Sequence, residues 1–297
     1  MKQDIFYIDR RTGQRCKEQI YFEAWLRFFY GTNPIGRWAG NWIARLSCLS
    51  KFVGFLQRAK SSKKKILPFI QRYHVPIEEA QLSIDQFASF NDFFIRKLKP
   101  EARPLSADSL VIPADGRYLL YPNMEEADGF LVKGDKFHLD KFLDNKDLAA
   151  KYRQGSLLIA RLCPTDYHRF HFPCDCRPHS PVLINGWLHS VSPLALRHHI
   201  YRLAENKRVL TLLQSSHHGD ILFCEVGATN VGSIHQTFTP YSNYKKGAEK
   251  GFFSFGGSTL ILLFEKQSVA FSHDLIKNSS QHIETLCLIG QPLGNIK

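Results

Sequence analysis

Three short stretches of this 297-residue chain carry side chains that can do chemistry. The densest runs from Cys163 to Cys176, CPTDYHRFHFPCDC, with His168 and His171 three residues apart beside Asp166, Tyr167 and Arg169. Histidine is the usual general acid or base near neutral pH, and two within one proline-bounded segment suit proton transfer. The thiols invite a zinc reading, but Cys174-x-Cys176 puts neighbours on one strand face, and no C-x2–4-C pair completes a tetrahedron. The second stretch is PADG at 113–116, where Asp115 reads as a turn former or as a carboxylate that orients an imidazole. The third is FSFGGST at 253–259, with Gly256, Gly257 and Ser258 in an otherwise apolar run. Glycine inside a strand marks a bulge or a close approach to the backbone. One reading is a kinked core strand. Another is a serine nucleophile with Asp115 and a histidine as acid and base. A third is attack by the Ser258 hydroxyl on the carbonyl of Gly257, which would exchange a peptide bond for an ester.

These stretches need elements to hold them. From residue 20 to about 94 apolar residues recur at helical spacing, most clearly Ile35, Trp38, Trp42, Ile43, Leu46, Val53 and Leu56, with Arg37, Arg45 and Lys51 on the other side. SIDQFASFNDFFIRKLKP (83–100) predicts a further helix opening at Ser83 and ending at Pro100. Beyond residue 110 short β-like runs alternate with Gly, Pro, Asn and Asp: 117–121, 129–134, 156–162, 182–191, 208–213, 220–229, 231–238 and 258–264. Helical patches are expected at 139–151 and 193–205. The expected fold is α+β, an N-terminal helical region (1–84) on a mainly antiparallel β core (85–297).

Composition narrows the function classes. The net charge is +12 with 44% hydrophobic residues, which calls for an acidic partner. No zinc finger, helix-turn-helix or RNA-binding aromatic signature appears, so nucleic acid is not expected as a partner. An amphipathic helix with indoles on one face and arginines on the other instead suits an anionic membrane surface, with Ile35, Trp38, Trp42 and Leu46 docking. Seven cysteines at irregular spacing predict no disulfide framework and a reducing compartment. The charged N-terminus does not read as a signal peptide, and no apolar run is long enough to predict a spanning helix.

Taken in order, FNDFFIRKLKPEARPL (90–105), PADG, PTDYHRFHFPC (164–174), LHSVSPL (188–194), ENKRV (205–209), VGATNVGSI (226–234) and FSFGGST resemble the phosphatidylserine decarboxylases. The resemblance spans roughly residues 85–265, and it is the combination that is specific. It implies a precursor that cuts itself between Gly257 and Ser258 into a large chain (1–257) and a small chain (258–297). Ser258 then becomes a pyruvoyl group, the only cofactor, with no metal. The self-processing triad maps to Asp115, His171 and Ser258, the decarboxylation histidine to His168, and a substrate-binding serine to Ser190. Ser192 stands where relatives commonly carry Asn. The implied reaction converts phosphatidylserine to phosphatidylethanolamine through a Schiff base, in phospholipid biosynthesis, at the cytoplasmic face of the inner membrane. The partners would be the two chains of one precursor and the anionic bilayer, with a homodimer left open. Competing readings are a lipid-ester hydrolase using the same three residues, a non-catalytic lipid-binding module, and a decarboxylase of soluble amino acids.

Overall fold

The computed structural model describes residues 4–20, 23–30, 33–45, 47–124, 138–196, 202–228, 233–256 and 258–297. The expected strand at 129–134, Leu46 and Gly257 lie outside them. A ten-stranded sheet forms the centre. Its order is β2 (Arg15–Lys17), β1 (Phe6–Asp9), β15 (Glu284–Cys287), β4 (Gly116–Tyr121), β5 (Ser156–Leu162), β13 (Ser258–Phe264), β10 (Gly219–Gly227), β9 (Arg208–Ser215) and β7 (Arg177–Pro178), with β8 (Val182–Ile184) also on β9. Among its described pairs only β1 with β15 is parallel. A small sheet joins β11 (Ile234–Gln236), β12 (Glu249–Phe253) and β6 (Arg169–His171); another joins β14 (Val269–Phe271), β16 (Pro292–Ile296) and β3 (Leu110–Val111).

The apolar run of β13 follows from its place between β5 and β10, where both faces are covered and all seven residues are buried. Side chains alternate across a strand. Leu260, Leu262 and Phe264 enter one core with Phe170 and Phe253 of the small sheet, while Ile261 and Leu263 enter another with Phe142, Tyr152 and Leu203. Ser258 therefore shares the face that the small sheet covers.

The N-terminal region is not helical throughout. Residues 6–17 extend the main sheet, and helices follow: α1 (Glu23–Tyr30), α2 (Pro34–Arg45), α3 (Ser47–Arg58) and α4 (Ile66–Tyr73). The docking element expected over 35–56 is helical in all its described residues, on both sides of position 46. α1 and α2 cross closely because α2 carries Gly36 and Gly40; a Cβ at Gly36 would meet Phe28 O at 1.9 Å. The helix expected over 83–100 is a 3-10 turn at Ile84–Gln86 and a short α5 (Phe90–Phe94). The reason is local capping. Ser83 and Gln86 close a capping box on the turn, and Ser89 caps α5 from Asp92 N at 3.1 Å. Of the strand expected over 182–191 only Val182–Ile184 forms. A third core holds Ile66, Phe69, Phe87, Phe90, Phe93 and Phe94, and Phe255 reaches into it from the segment before Ser258.

Candidate active site

Antiparallel pairing brings the three sequence stretches to one end of the sheet. Gly116 opens β4, Leu162 closes β5, Ser258 opens β13 and Gly227 closes β10. Ser258 pairs with both Leu162 and Gly227. Gly116 is required here, since a Cβ would stand 2.9 Å from Arg161 O. Asp115 precedes it directly.

Ser258 is fully buried, and its Oγ has no hydrogen-bond partner among the described residues. A buried hydroxyl without a partner is costly and marks a place where structure is subordinate to chemistry. Gly256, two residues upstream, adopts φ 136°, a conformation open to glycine alone.

His168 directly precedes β6, and its carbonyl accepts from Phe253 N, at the end of β12, at 3.0 Å. The turn that places it is built by Asp166, whose carboxylate accepts from Cys163 N at 2.7 Å while Asp166 N donates to Cys163 O at 2.9 Å. That same carbonyl lies 3.0 Å from His168 Nε2. A carbonyl only accepts, so Nε2 carries the proton and Nδ1, buried without a partner among the described residues, carries the lone pair. The ring stacks on Phe94 at 3.9 Å, and Phe94 touches Phe255. Burial, reinforced by the Arg96 charge, pushes His168 down to about 3.

His171 ends β6. Its Nδ1 sits 2.9 Å from Gly247 O, which fixes the proton there, and Nε2 is again buried and, among the described residues, unpartnered. Burial lowers its pKa, with Gly247 O and Glu249 pulling the other way. Both histidines are therefore neutral at pH 7, and each keeps one free basic nitrogen.

Asp115 comes near this pair without bonding to it. His171 N donates to Pro113 O at 2.8 Å, but the Asp115 carboxylate is taken by Arg103 Nε (3.1 Å to each oxygen), Arg103 Nη2 (2.6 Å) and Ile289 N (2.8 Å). Burial raises the Asp115 pKa, and Arg103 opposes it. Arg103 also grips Glu79 at 2.9 Å. The imidazole of His171 is thus oriented by a backbone carbonyl and Asp115 is held by a guanidinium. Arg103 lay inside a quoted motif, yet nothing in its spacing announces its partner. Gly247 O, a backbone atom, leaves no side-chain signal at all.

Beside Ser258 opens a cavity of about 430 Å3, bordered by Leu162, Cys163, Ser190, Ser192, Phe255 and Gly256, with α1 residues Trp25 and Phe29 across it. Ser190 N donates to Tyr30 OH at 3.0 Å, its Oγ accepts from Ser192 N at 3.1 Å, and Ser192 Oγ is unpartnered among the described residues. One wall is ionic. Arg161 binds Glu18 (2.7 and 2.8 Å) and Glu284, and Cys163 Sγ donates to Glu18 at 2.9 Å. Although burial alone would raise it, Arg161 and Arg117 hold Glu18 at about 2. Cys163, assigned no role from the sequence, belongs to this wall. Among the described residues no group of three or more His, Cys, Asp or Glu side chains could hold a metal ion. Ile35, Trp38 and Trp42 stand on the outer face of α2, 72%, 65% and 50% exposed, away from the buried site residues.

The model of the family described as "Phosphatidylserine decarboxylase" matches residues 90–294. Curated relatives are similar along nearly the whole chain. The phosphatidylserine decarboxylase proenzyme of Chlamydia pneumoniae is 47% identical over 290 residues, covering 97% of this chain and 96% of that one. That of Chlamydia muridarum is 47% identical over 294 residues (98% and 97%), and that of Chlamydia felis 46% over 290 (97% of each).

Proposed function

The chain belongs to the phosphatidylserine decarboxylase family, a family of carboxy-lyases, and from that premise we propose that it cuts itself between Gly257 and Ser258 and then removes CO2 from phosphatidylserine to leave phosphatidylethanolamine. The observation that carries this reading is the buried, unpartnered Ser258 Oγ at the head of β13, at a sheet end where His168 and His171 each keep a free ring nitrogen.

In self-cleavage Ser258 Oγ attacks the Gly257 carbonyl carbon and the C–N bond breaks, leaving an ester and a free amine on residue 258. His171, neutral with its lone pair on Nε2, is the base that takes the hydroxyl proton and returns it to the departing nitrogen. Loss of the Ser258 Cα proton then expels the Gly257 carboxylate, and water converts the remaining enamine to a carbonyl with release of ammonia. Asp115, clamped by Arg103, contributes negative charge at the same sheet end.

The residues fit a pyruvoyl group formed from Ser258: the side chain is fully buried, and among the described residues Ser258 Oγ, His168 Nδ1 and His171 Nε2 have no competing partner. Such a group supplies a carbonyl that links covalently to the substrate amine and accepts the electron pair left by CO2. In this reading His168 Nδ1 holds or returns the proton at the substrate Cα, and Ser190 with Ser192 binds the carboxylate. Beyond its ionic wall the cavity is lined by Trp25, Leu26, Phe29 and Ile43, and this side takes the first carbons of the acyl chains. The exposed Trp38, Trp42 and Ile35 and the +12 charge support docking of α2 on an anionic membrane, at its cytoplasmic face.

The test is an intact mass spectrum of freshly purified chain beside Ser258→Ala. Two fragments meeting at Gly257/Ser258, the small one blocked to N-terminal sequencing, support the reading. One full-length mass from an active sample defeats it and returns the hydrolase reading, which a fluorophosphonate label on Ser258 would then identify.

A further inference from the structure

β12 and β6 pair out of step. Glu249 stands opposite His171 and Gly251 opposite Phe170, which leaves Lys250 as an extra residue between them. A bulge of this kind re-aims one side chain, and here it turns a lysine into the core. Lys250 is fully buried. Its Nζ donates to Thr211 Oγ1 at 3.0 Å, to Gln236 Oε1 at 2.9 Å and to the Glu225 carboxylate. The rings of Phe223, Phe238 and Phe170 surround it at 4.8, 4.9 and 5.6 Å. Three acceptors match the three protons of an ammonium.

Burying this pair is expensive, and an apolar pair of similar volume would fill the space at lower cost. What apolar packing would not supply is direction. β12 is bonded to the strand that ends in His171. Glu225 lies on β10, opposite Leu260 and two residues before Gly227, which pairs with Ser258. Thr211 adds β9 and Gln236 adds β11. One side chain thus joins the sheet that carries the base to the sheet that carries the hydroxyl, on the face where Ser258 points.

We propose that Lys250 and Glu225 form a positioning pair that sets the register of His171 against Ser258 for self-cleavage. The inference rests on the reading that the chain cuts itself. Neither residue touches the reacting atoms; both act by fixing how the small sheet sits on the large one.

The experiment follows the appearance of fragments 1–257 and 258–297 in freshly synthesised full-length chain, by gel and mass spectrometry. Lys250→Met combined with Glu225→Met removes both charges at similar volume. It is expected to keep its near-ultraviolet circular dichroism while cleaving about tenfold or more slowly, since small misplacements of catalytic groups are that costly. A folded double variant that cleaves at the parental rate overturns the proposal. Gln236→Leu, at a half-buried position, removes one Nζ acceptor and leaves the ion pair in place. Slowing of about threefold at unchanged Tm is expected. Should the double variant not fold, an unchanged rate in Gln236→Leu overturns the proposal by itself. An uncut parent chain would defeat self-cleavage, a result distinct from either.

Discussion

His168 and His171 are identical side chains three residues apart, and their surroundings give them opposite tautomers. His168 bonds through Nε2 and offers Nδ1; His171 bonds through Nδ1 and offers Nε2. Both are held neutral by burial, which has a consequence for stability. A histidine at about 3 in the folded chain and about 6.5 unfolded costs nothing above pH 6.5. Below that the unfolded chain takes up a proton that the folded one refuses, so stability falls from pH 6.5 down toward 3. In a Ser258→Ala background, His168→Gln should flatten the pH dependence of urea unfolding by up to about 1.4 kcal/mol per pH unit between 6 and 4. An unchanged slope would mean that His168 takes up its proton in the folded chain. Arg103→Met strands the buried Asp115 carboxylate and should destabilise by about 3–5 kcal/mol, with Asp115→Asn added to it recovering part of the loss in urea unfolding. At this scale residue types were legible in the sequence and bonding partners were not. Asp115 read as a turn former or as the orienter of an imidazole, and neither reading announced Arg103, twelve residues earlier, which holds its carboxylate.

Among the elements, β13 was the most legible. Its seven buried residues form a run that only a strand covered on both faces can use, and its predicted bounds match those observed. The stretch 83–100 shows the opposite case. Phe87, Phe90, Phe93 and Phe94 have helical spacing, but they converge on Phe69 and Phe255 from a 3-10 turn and one short helix. Burial of aromatic rings sets that pattern as readily as helical geometry does. β1 escaped notice because its parallel partner, β15, lies some 275 residues along the chain, a pairing that no local pattern encodes. Two predictions belong here. Gly256→Ala forces a side chain onto φ 136° and should cost more than about 1 kcal/mol while slowing fragment formation, both read on the same preparation. Trp38→Ser with Trp42→Ser should leave circular dichroism unchanged, because both rings are exposed, and reduce co-sedimentation with anionic vesicles about tenfold. Undiminished sedimentation would move docking away from α2.

At the scale of the whole molecule, the α+β class and the antiparallel core were legible from alternating runs and turn residues, and the excess of positive charge from a count. That Asp115, His171 and Ser258 act together was an expectation from their chemistry and the family resemblance; the strand order β4-β5-β13-β10, which brings their stretches to one sheet end, was not legible because no local pattern encodes it. That order has a further effect. The proposed cut falls at the first residue of a strand seated between two others, so the small chain supplies β13 to the centre of the sheet and β15 nearer its edge. The fragments should stay together through gel filtration without denaturant. The uncut Ser258→Ala chain folds by a first-order process whose midpoint in urea is indifferent to dilution. The cleaved molecule must instead find its other half, and its reassembly becomes second order, slower and less complete as the solution is thinned. A copy cut as proposed folds as a single chain only once, and its later resistance to unfolding is a matter of how slowly a central strand can leave.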